Sequence, residues 1–502
     1  MRTSGVLLAI SSLPSPYGIG TLGRAAYGFV DFLARAGQSF WQVLPAGPTG
    51  FGDSPYQSFS SFAGNPYFID LDLLKKERLL RAAELAPYKN AGRGRVDYAA
   101  LYRERFPLLR LAYERFIDRL PSDFFEYCKA NDDWLTDYAL FMAIKDSRGG
   151  ASFDVWEDGL KFRRPAAMQK AKRALAHEIG FYKFLQYQFE RQWRALHAYA
   201  KERGVRIIGD IPIYVSGDSA DVWANPKEFC LDRALRPKKV AGCPPDAFSA
   251  EGQLWGNPIY DWKYQQKHGF AFWRRRLARQ AEFFDVLRID HFRGFASYYA
   301  IPYGEATAVR GAWEKGPGVS LFRALRQSVG DLPIIAEDLG CITPDVRRLL
   351  AACGYPGMKV LQFAFDPHTP SDYLPHRFAC DNAVVYVGTH DNDTVLGWVK
   401  SGDRDAVAYA VRYLGLNEKE GFAWGMMRGA AASRADLAIY TAQDLLSLDS
   451  RARMNTPSVA AGNWSWRLTA LPSAKIAARL YQMTADFGRL PTADTAENRK
   501  NG

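Results

Sequence analysis

Eight apolar runs recur along the chain, each nearly continuous and each closed by polar residues and a loop. They are GVLLAI from Gly5, SFWQVLP from Ser39, VRIIGDIPIYV from Val205, DVLRIDHF from Asp285, LPIIAEDLG from Leu332, GMKVLQFAF from Gly357, AVVYVGTHDND from Ala383 and DLAIYTAQDLL from Asp436. A strand with one wet face alternates apolar and polar residues, whereas an unbroken run needs cover on both faces, as in parallel sheets wrapped by helices. Helical patterns fill several of the gaps, which parallel crossovers require. One spans about Arg24 to Ala36. Another, FYKFLQYQFERQWRALHAYAKERG, repeats Phe181, Leu185, Phe189, Trp193, Leu196 and Ala200 at near-helical spacing, with Gly204 as its stop. Eight β/α units predict an α/β fold of the TIM (β/α)8 barrel type. The rival is a doubly wound open sheet, but SSLPSPYGIG after the first run is not a G-x-G-x-x-G turn.

The gaps are uneven, and that divides the chain. Residues 1–75 hold barrel strands one and two, and 76–190 read as a mostly helical inserted subdomain, with Trp134, Tyr138 and Phe141 on one face of DDWLTDYALFMAIKD. The region of strand three covers 191–224. Residues 225–284, rich in Trp, Pro and Asn, form a second insertion suited to binding, and 285–490 carry strands four to eight. The polar end, 491–502, is expected to be a flexible tail, and no separate C-terminal β-domain is expected.

Composition narrows the function. The net charge of +11 is spread along the chain, so it does not mark a nucleic-acid surface. The only apolar run in the first ten residues, VLLAI, is too short for a signal peptide or membrane span, so no membrane partner and a cytoplasmic location are expected. Six scattered cysteines without a C-x-x-C pair argue against disulfides and a zinc site. Aromatic residues make up 14% of the chain, more than a core alone needs, and their faces suit the C–H faces of sugar rings.

In a barrel, reactive groups gather at the carboxyl ends of the strands. Strand three ends at Asp210, strand four at Asp290, strand five at Glu337 and Asp338, and strand seven at His390, Asp391 and Asp393. One such acid is ordinarily a cap or an ion pair, but several on one rim are electrostatically costly and point to acid/base or metal chemistry. Arg288 and Arg293 beside them oppose a divalent metal, and no metal is expected. Two-carboxylate glycosidic chemistry fits better: an ionised nucleophile and a protonated acid about 5 to 5.5 Å apart. Period-two alternation puts Arg288 and Asp290 on one face, so Arg288 is expected to lower the Asp290 pKa. Glu337 is expected to keep its proton through burial and neighbouring acids, and Asp391 to steady the developing oxocarbenium centre or to grip sugar hydroxyls. His291 and His390 each adjoin a candidate aspartate.

These motifs have a family. IIGDIPIYV, VLRIDHFRG, IIAEDLG and VGTHDND, in that order, resemble the four signature regions of the α-glucan-active barrels, and specifically the 4-α-glucanotransferases (amylomaltase or disproportionating enzyme, glycoside hydrolase family 77). SPYGIGTLG, FWQVLP, DSPYQSFSSFAGNPY, DSADVWANP, GCPPDAFSAEGQLWGNPIYDW and MNTP with GNWSWR extend the resemblance along the chain. It implies a retaining double displacement without an organic cofactor, moving a segment of an α-1,4-glucan or malto-oligosaccharide to the 4-hydroxyl of another glucan or of glucose. Asp290 matches the family nucleophile, Glu337 the acid/base and Asp391 the transition-state aspartate. Arg288, His291, His390, Asp210 and Tyr56 match residues around the reacting sugar, with Ser54 and Asn463 as further contacts. Asp246, Gln253 and Trp255 match a loop over the acceptor subsites. Two departures bear on glucan length: Ala247 stands where the family carries an aromatic residue, and Ser458 and Val459 replace Gly-Thr. The alternatives are an amylase-type hydrolase using the same acids with water, and an inactive glucan-binding protein.

Overall fold

The eight runs close into one barrel. In chain order the strands are β1 (Thr3–Leu7), β2 (Phe40–Gln42), β3 (Arg206–Ile211), β4 (Lys239–Cys243), β5 (Gln253–Pro258), β6 (Val286–Ile289), β7 (Ser297–Pro302), β8 (Ala312–Lys315), β9 (Ile334–Ala336), β10 (Gly357–Val360), β11 (Ala383–Tyr386) and β12 (Leu437–Thr441). The barrel runs β1, β2, β3, β6, β9, β10, β11, β12 and returns to β1, with every neighbouring pair parallel. The computed structural model describes residues 2–89, 94–245, 249–340, 342–459 and 461–491. All but Pro491 of the expected tail lies outside them.

Alternation along the strands sets what the barrel contains. Leu7, Phe40, Ile208, Val286, Ile335 and Met358 belong to one buried interior cluster. Their immediate neighbours Val6, Trp41, Ile207 and Leu287 belong to the larger core beneath the helices. Gly5 must be small, because a Cβ there would sit 2.6 Å from that of Phe40. Two residues further along, the interior side chains turn polar. Gln42, Asp210, Arg288 and Tyr386 are all buried, and the Tyr386 hydroxyl donates to Gln42 Oε1 at 2.9 Å. An apolar floor therefore carries a hydrogen-bonded polar layer, and the candidate site stands above it.

The long gap between β2 and β3 is helical. It includes Tyr98–Ile117, Ser122–Ala130, Asp132–Ser147 and the 27-residue helix Ala176–Glu202. The six spaced residues of that last helix are all buried, and Gly204 follows it with a φ of +73°. Helix Asp132–Ser147 is buried continuously from Tyr138 to Lys145, so it is enclosed on all sides instead of showing one apolar face.

A second sheet was not separable from the barrel in sequence. It has the order β5, β4, β7, β8 and is antiparallel throughout. Two of its strands precede β6 and two follow it, so residues 297–315 depart from the barrel course expected for 285–490. Among the described residues no strand follows β12, and no helix is long and apolar enough to cross a membrane.

Candidate active site

Strand register assembles the first wall of the site. Asp210 on β3 pairs with Arg288 on β6, and Arg288 Nη1 lies 2.7 Å from both carboxylate oxygens of Asp210. Its Nη2 lies 3.0 Å from Asp290 Oδ1. The Tyr56 hydroxyl completes the set, donating to Asp210 Oδ2 at 2.8 Å. Asp210 has 0% side-chain exposure, and both its oxygens are engaged in holding Arg288 and Tyr56 in place. Ser54 is likewise a support: its Oγ accepts from the Tyr56 N–H at 3.2 Å.

Asp290 follows β6 and Glu337 follows its neighbour β9. The main chain locks them together: the Asp290 N–H donates to Ile211 O at 2.9 Å and the Glu337 N–H to Ile289 O at 3.0 Å. Between them His291 adopts a left-handed φ of +50°, a conformation that costs a side-chain-bearing residue about 1–3 kcal/mol and is kept where function needs it. Turned this way, the His291 N–H donates to Glu337 Oε2 at 2.6 Å, while Oε1 accepts from the Leu339 N–H at 3.0 Å. Glu337 therefore leans on the residue that follows Asp290, and the two carboxyls share one site.

Burial dominates the electrostatics. It raises the Asp290 carboxyl to about 6 against the pull of Arg288, with Asp210 adding to the rise. This corrects the expectation that Arg288 brings Asp290 below its ordinary value: the ion pair is present, but desolvation outweighs it. Burial, then the Asp290 charge, raises Glu337 further, to about 8. Of the two, Glu337 is therefore the carboxyl that holds its proton more tightly. Burial, then Arg293, lowers His291 to about 3, so its ring is neutral.

The opposite wall is built from loops. Asp391 follows β11, and its Oδ1 accepts from Asn455 Nδ2 at 2.6 Å and lies 3.4 Å from His390 Nε2. Arg453 Nη2 donates to the Asp391 carbonyl at 2.6 Å. The buried His390 ring stacks on Tyr56, with centroids 5.2 Å apart, and lies 5.9 Å from Trp464. Two further rim acids have structural duties. Asp338 Oδ1 accepts from the Met358 N–H at 2.6 Å, and Asp393 accepts from the Thr394 N–H and Ser450 hydroxyl at 2.7 Å each.

On β5, Trp255 meets the His291 ring edge-on at 4.8 Å and donates its indole N–H to Gln253 Oε1 at 3.0 Å. The sheet therefore brings Trp255 against the residue that follows Asp290, with Gln253 bonded to its indole. Asp246 and Ala247 lie outside the described residues. Among those described, no cluster of three or more His, Cys, Asp or Glu is arranged to hold a metal ion.

The profile of the 4-alpha-glucanotransferase family matches residues 8–472. The chain belongs to this family. A 4-alpha-glucanotransferase of Clostridium butyricum is 47% identical over 96% of this chain and 99% of its own. One from Thermus thermophilus is 48% identical over 97% and 99%. Among solved structures, an amylomaltase from Streptococcus agalactiae in complex with acarbose superposes with a TM-score of 0.94 at 41% identity, covering 98% of this chain and all of that one.

Within this glucanotransferase fold, Asn463 is tied into its own loop. Its Oδ1 accepts from the Thr456 N–H at 2.9 Å and its Nδ2 donates to the carbonyls of Thr456 and Val459, at 3.3 and 2.8 Å. It pins the loop that presents Asn455. Sequence reasoning singled out MNTP and GNWSWR but assigned no role to Asn455, Arg453 or Trp464. Only the fold shows the first two bracing Asp391.

Proposed function

We propose that this glucanotransferase cleaves an α-1,4-glucan and passes the non-reducing-side segment to another glucan in two displacements at one carbon. An Asp290 carboxylate oxygen bonds to the anomeric carbon as the glycosidic C–O bond breaks, and Glu337 protonates the departing oxygen. The held segment is now an ester of Asp290. The 4-hydroxyl of an incoming malto-oligosaccharide or glucose gives its proton to ionised Glu337, its oxygen bonds to the same carbon, and the ester bond to Asp290 breaks. Two inversions leave the α configuration intact. Asp391 faces the developing positive charge, and Arg288 keeps Asp290 ionised despite burial.

The observation that carries this reading is the pair of carboxyls on adjoining strands, with Glu337 accepting from the N–H of the residue after Asp290 and burial pushing its pKa above that of Asp290. Preference for sugar over water is supported by Trp255, which packs on the His291 ring next to Asp290 and with Gln253 can seat an acceptor while excluding solvent. Incubation with maltotriose tests it. Transfer yields glucose and a ladder of longer oligomers at a nearly constant number of reducing ends, whereas a steady rise in reducing ends overturns transfer in favour of hydrolysis. A cytoplasmic location, supported by the free thiols of Cys128, Cys230, Cys353 and Cys380, is checked by cell fractionation; recovery with periplasmic or secreted proteins contradicts it.

A further inference from the structure

A groove of about 550 Å³ lies apart from the catalytic carboxylates, lined by Ser297 and Trp313 of the second sheet and by Asp345 and Arg348 of helix Pro344–Cys353, with Lys315 at its side. Its volume lies within the range of small-molecule sites. Trp313 is 42% exposed although one side of its ring is covered: the Arg293 guanidinium stacks 3.8 Å from the ring centroid, and Tyr299 meets it edge-on at 5.3 Å. Arg293 is fixed in turn by donating to Ser297 Oγ at 3.2 Å. The indole is thus a flat apolar platform, held from behind and open in front. Register places Trp313 opposite Tyr299, Tyr299 opposite Gly242, and Gly242 opposite Leu254, so one rung crosses all four strands. Directly opposed residues share a face, and Trp255, the next residue after Leu254, points to the other face.

The chemistry of the lining selects the occupant. Asp345 contributes a negative charge, Arg348 and Lys315 positive ones, and Glu314 lies beside them, so the rim favours neither anion nor cation. Arg348 is exposed and its guanidinium has no partner among the described residues. A platform with a rim of donors and acceptors of both signs matches a neutral ring with apolar C–H faces and hydroxyl edges. Given the activity proposed above, on which this inference rests, that ring is a glucosyl unit of a polymer.

We propose that this groove is a second α-glucan site, with Trp313 stacking on a sugar ring and Asp345 and Arg348 bonding its hydroxyls, and that it tethers long glucans outside the catalytic cleft. Short donors fill the cleft alone and gain nothing from it.

The experiment compares Trp313→Ala and Arg348→Ala with the parent, using amylose and maltotriose as substrates. Retention in native gels containing glycogen is also measured, with each substitution placed on an Asp290→Asn background so that turnover does not erode the polymer. We expect retention to weaken and KM for amylose to rise by about 3- to 10-fold in Trp313→Ala, the range given by loss of one aromatic contact. A smaller change in the same direction is expected for Arg348→Ala, with maltotriose kinetics unchanged in both. If Trp313→Ala lowers the melting temperature, the exposed Arg348→Ala variant decides. Unchanged retention and unchanged amylose KM in a normally melting variant overturn the second site. Failure of the parent to disproportionate maltotriose overturns the activity instead, and glycogen retention still reads the groove independently.

Discussion

The two walls of the active site are made differently. On one side Asp210, Arg288, Asp290 and Glu337 stand at the ends of three adjoining strands, tied by main-chain bonds and a buried ion pair. On the other side Asp391 has 45% side-chain exposure and is steadied by Asn455 and Arg453 from a loop in which Ser458 adopts a φ of +66°. Buried, register-fixed groups set which acid holds the proton, because desolvation acts fully only where water is excluded. Loop-borne groups can adapt to a sugar ring that changes shape along the reaction. In the proposed mechanism the difference assigns most of the charge control to the strand wall and accommodation of the sugar to the loop wall.

The largest effect tests the strand wall at its centre. Asp290→Asn removes the attacking anion and should lower kcat by roughly 10⁴-fold or more with an unchanged melting curve; activity near that of the parent would reject the nucleophile. Next, Arg288→Met strands Asp210 as an unpaired buried charge and should cost about 3–5 kcal/mol in denaturant unfolding. Adding Asp210→Asn should recover part of that loss, and no recovery would mean the pair is not what stabilises this wall.

The pH profile tests the charge assignment. In the proposed mechanism Asp290 acts ionised and Glu337 protonated, so kcat/KM should climb as pH rises through about 6 and fall as it passes about 8, approaching tenfold per unit on each limb. A rate still rising at pH 9 contradicts the Glu337 role. On the loop wall, Asn455→Ala should reduce kcat by about 10-fold, the scale of one lost charge-assisted hydrogen bond, with the pH limbs unmoved. Displaced limbs would show that the walls are electrically coupled. The smallest change is Ser458→Gly, which relieves left-handed strain and should stabilise by about 1 kcal/mol at most, read as a slight rise in melting temperature.

The barrel was legible because parallel strands covered on both faces are written as unbroken apolar runs, from GVLLAI to DLAIYTAQDLL. The rim acids were legible because they end those runs. What each side chain does was not. Asp210 and Asn463 looked like sugar contacts, whereas the fold shows Asp210 bonded to Arg288 and Tyr56 and Asn463 bonded within its own loop. The sign of the Asp290 shift was missed because Arg288 is visible two residues away whereas burial belongs to the assembled site. The second sheet escaped notice because SYYAIP and AWEK pair with strands on the far side of β6, a long-range choice without a local pattern.

That sheet has a practical consequence for anyone trimming or grafting this scaffold. Lys239–Gly242 pairs with Tyr299–Pro302 across the segment that carries Asp290. Excising either half alone would expose an unpaired edge strand beside the cleft, an invitation to aggregation. The halves must be removed or transplanted together, as one cassette whose seam straddles β6.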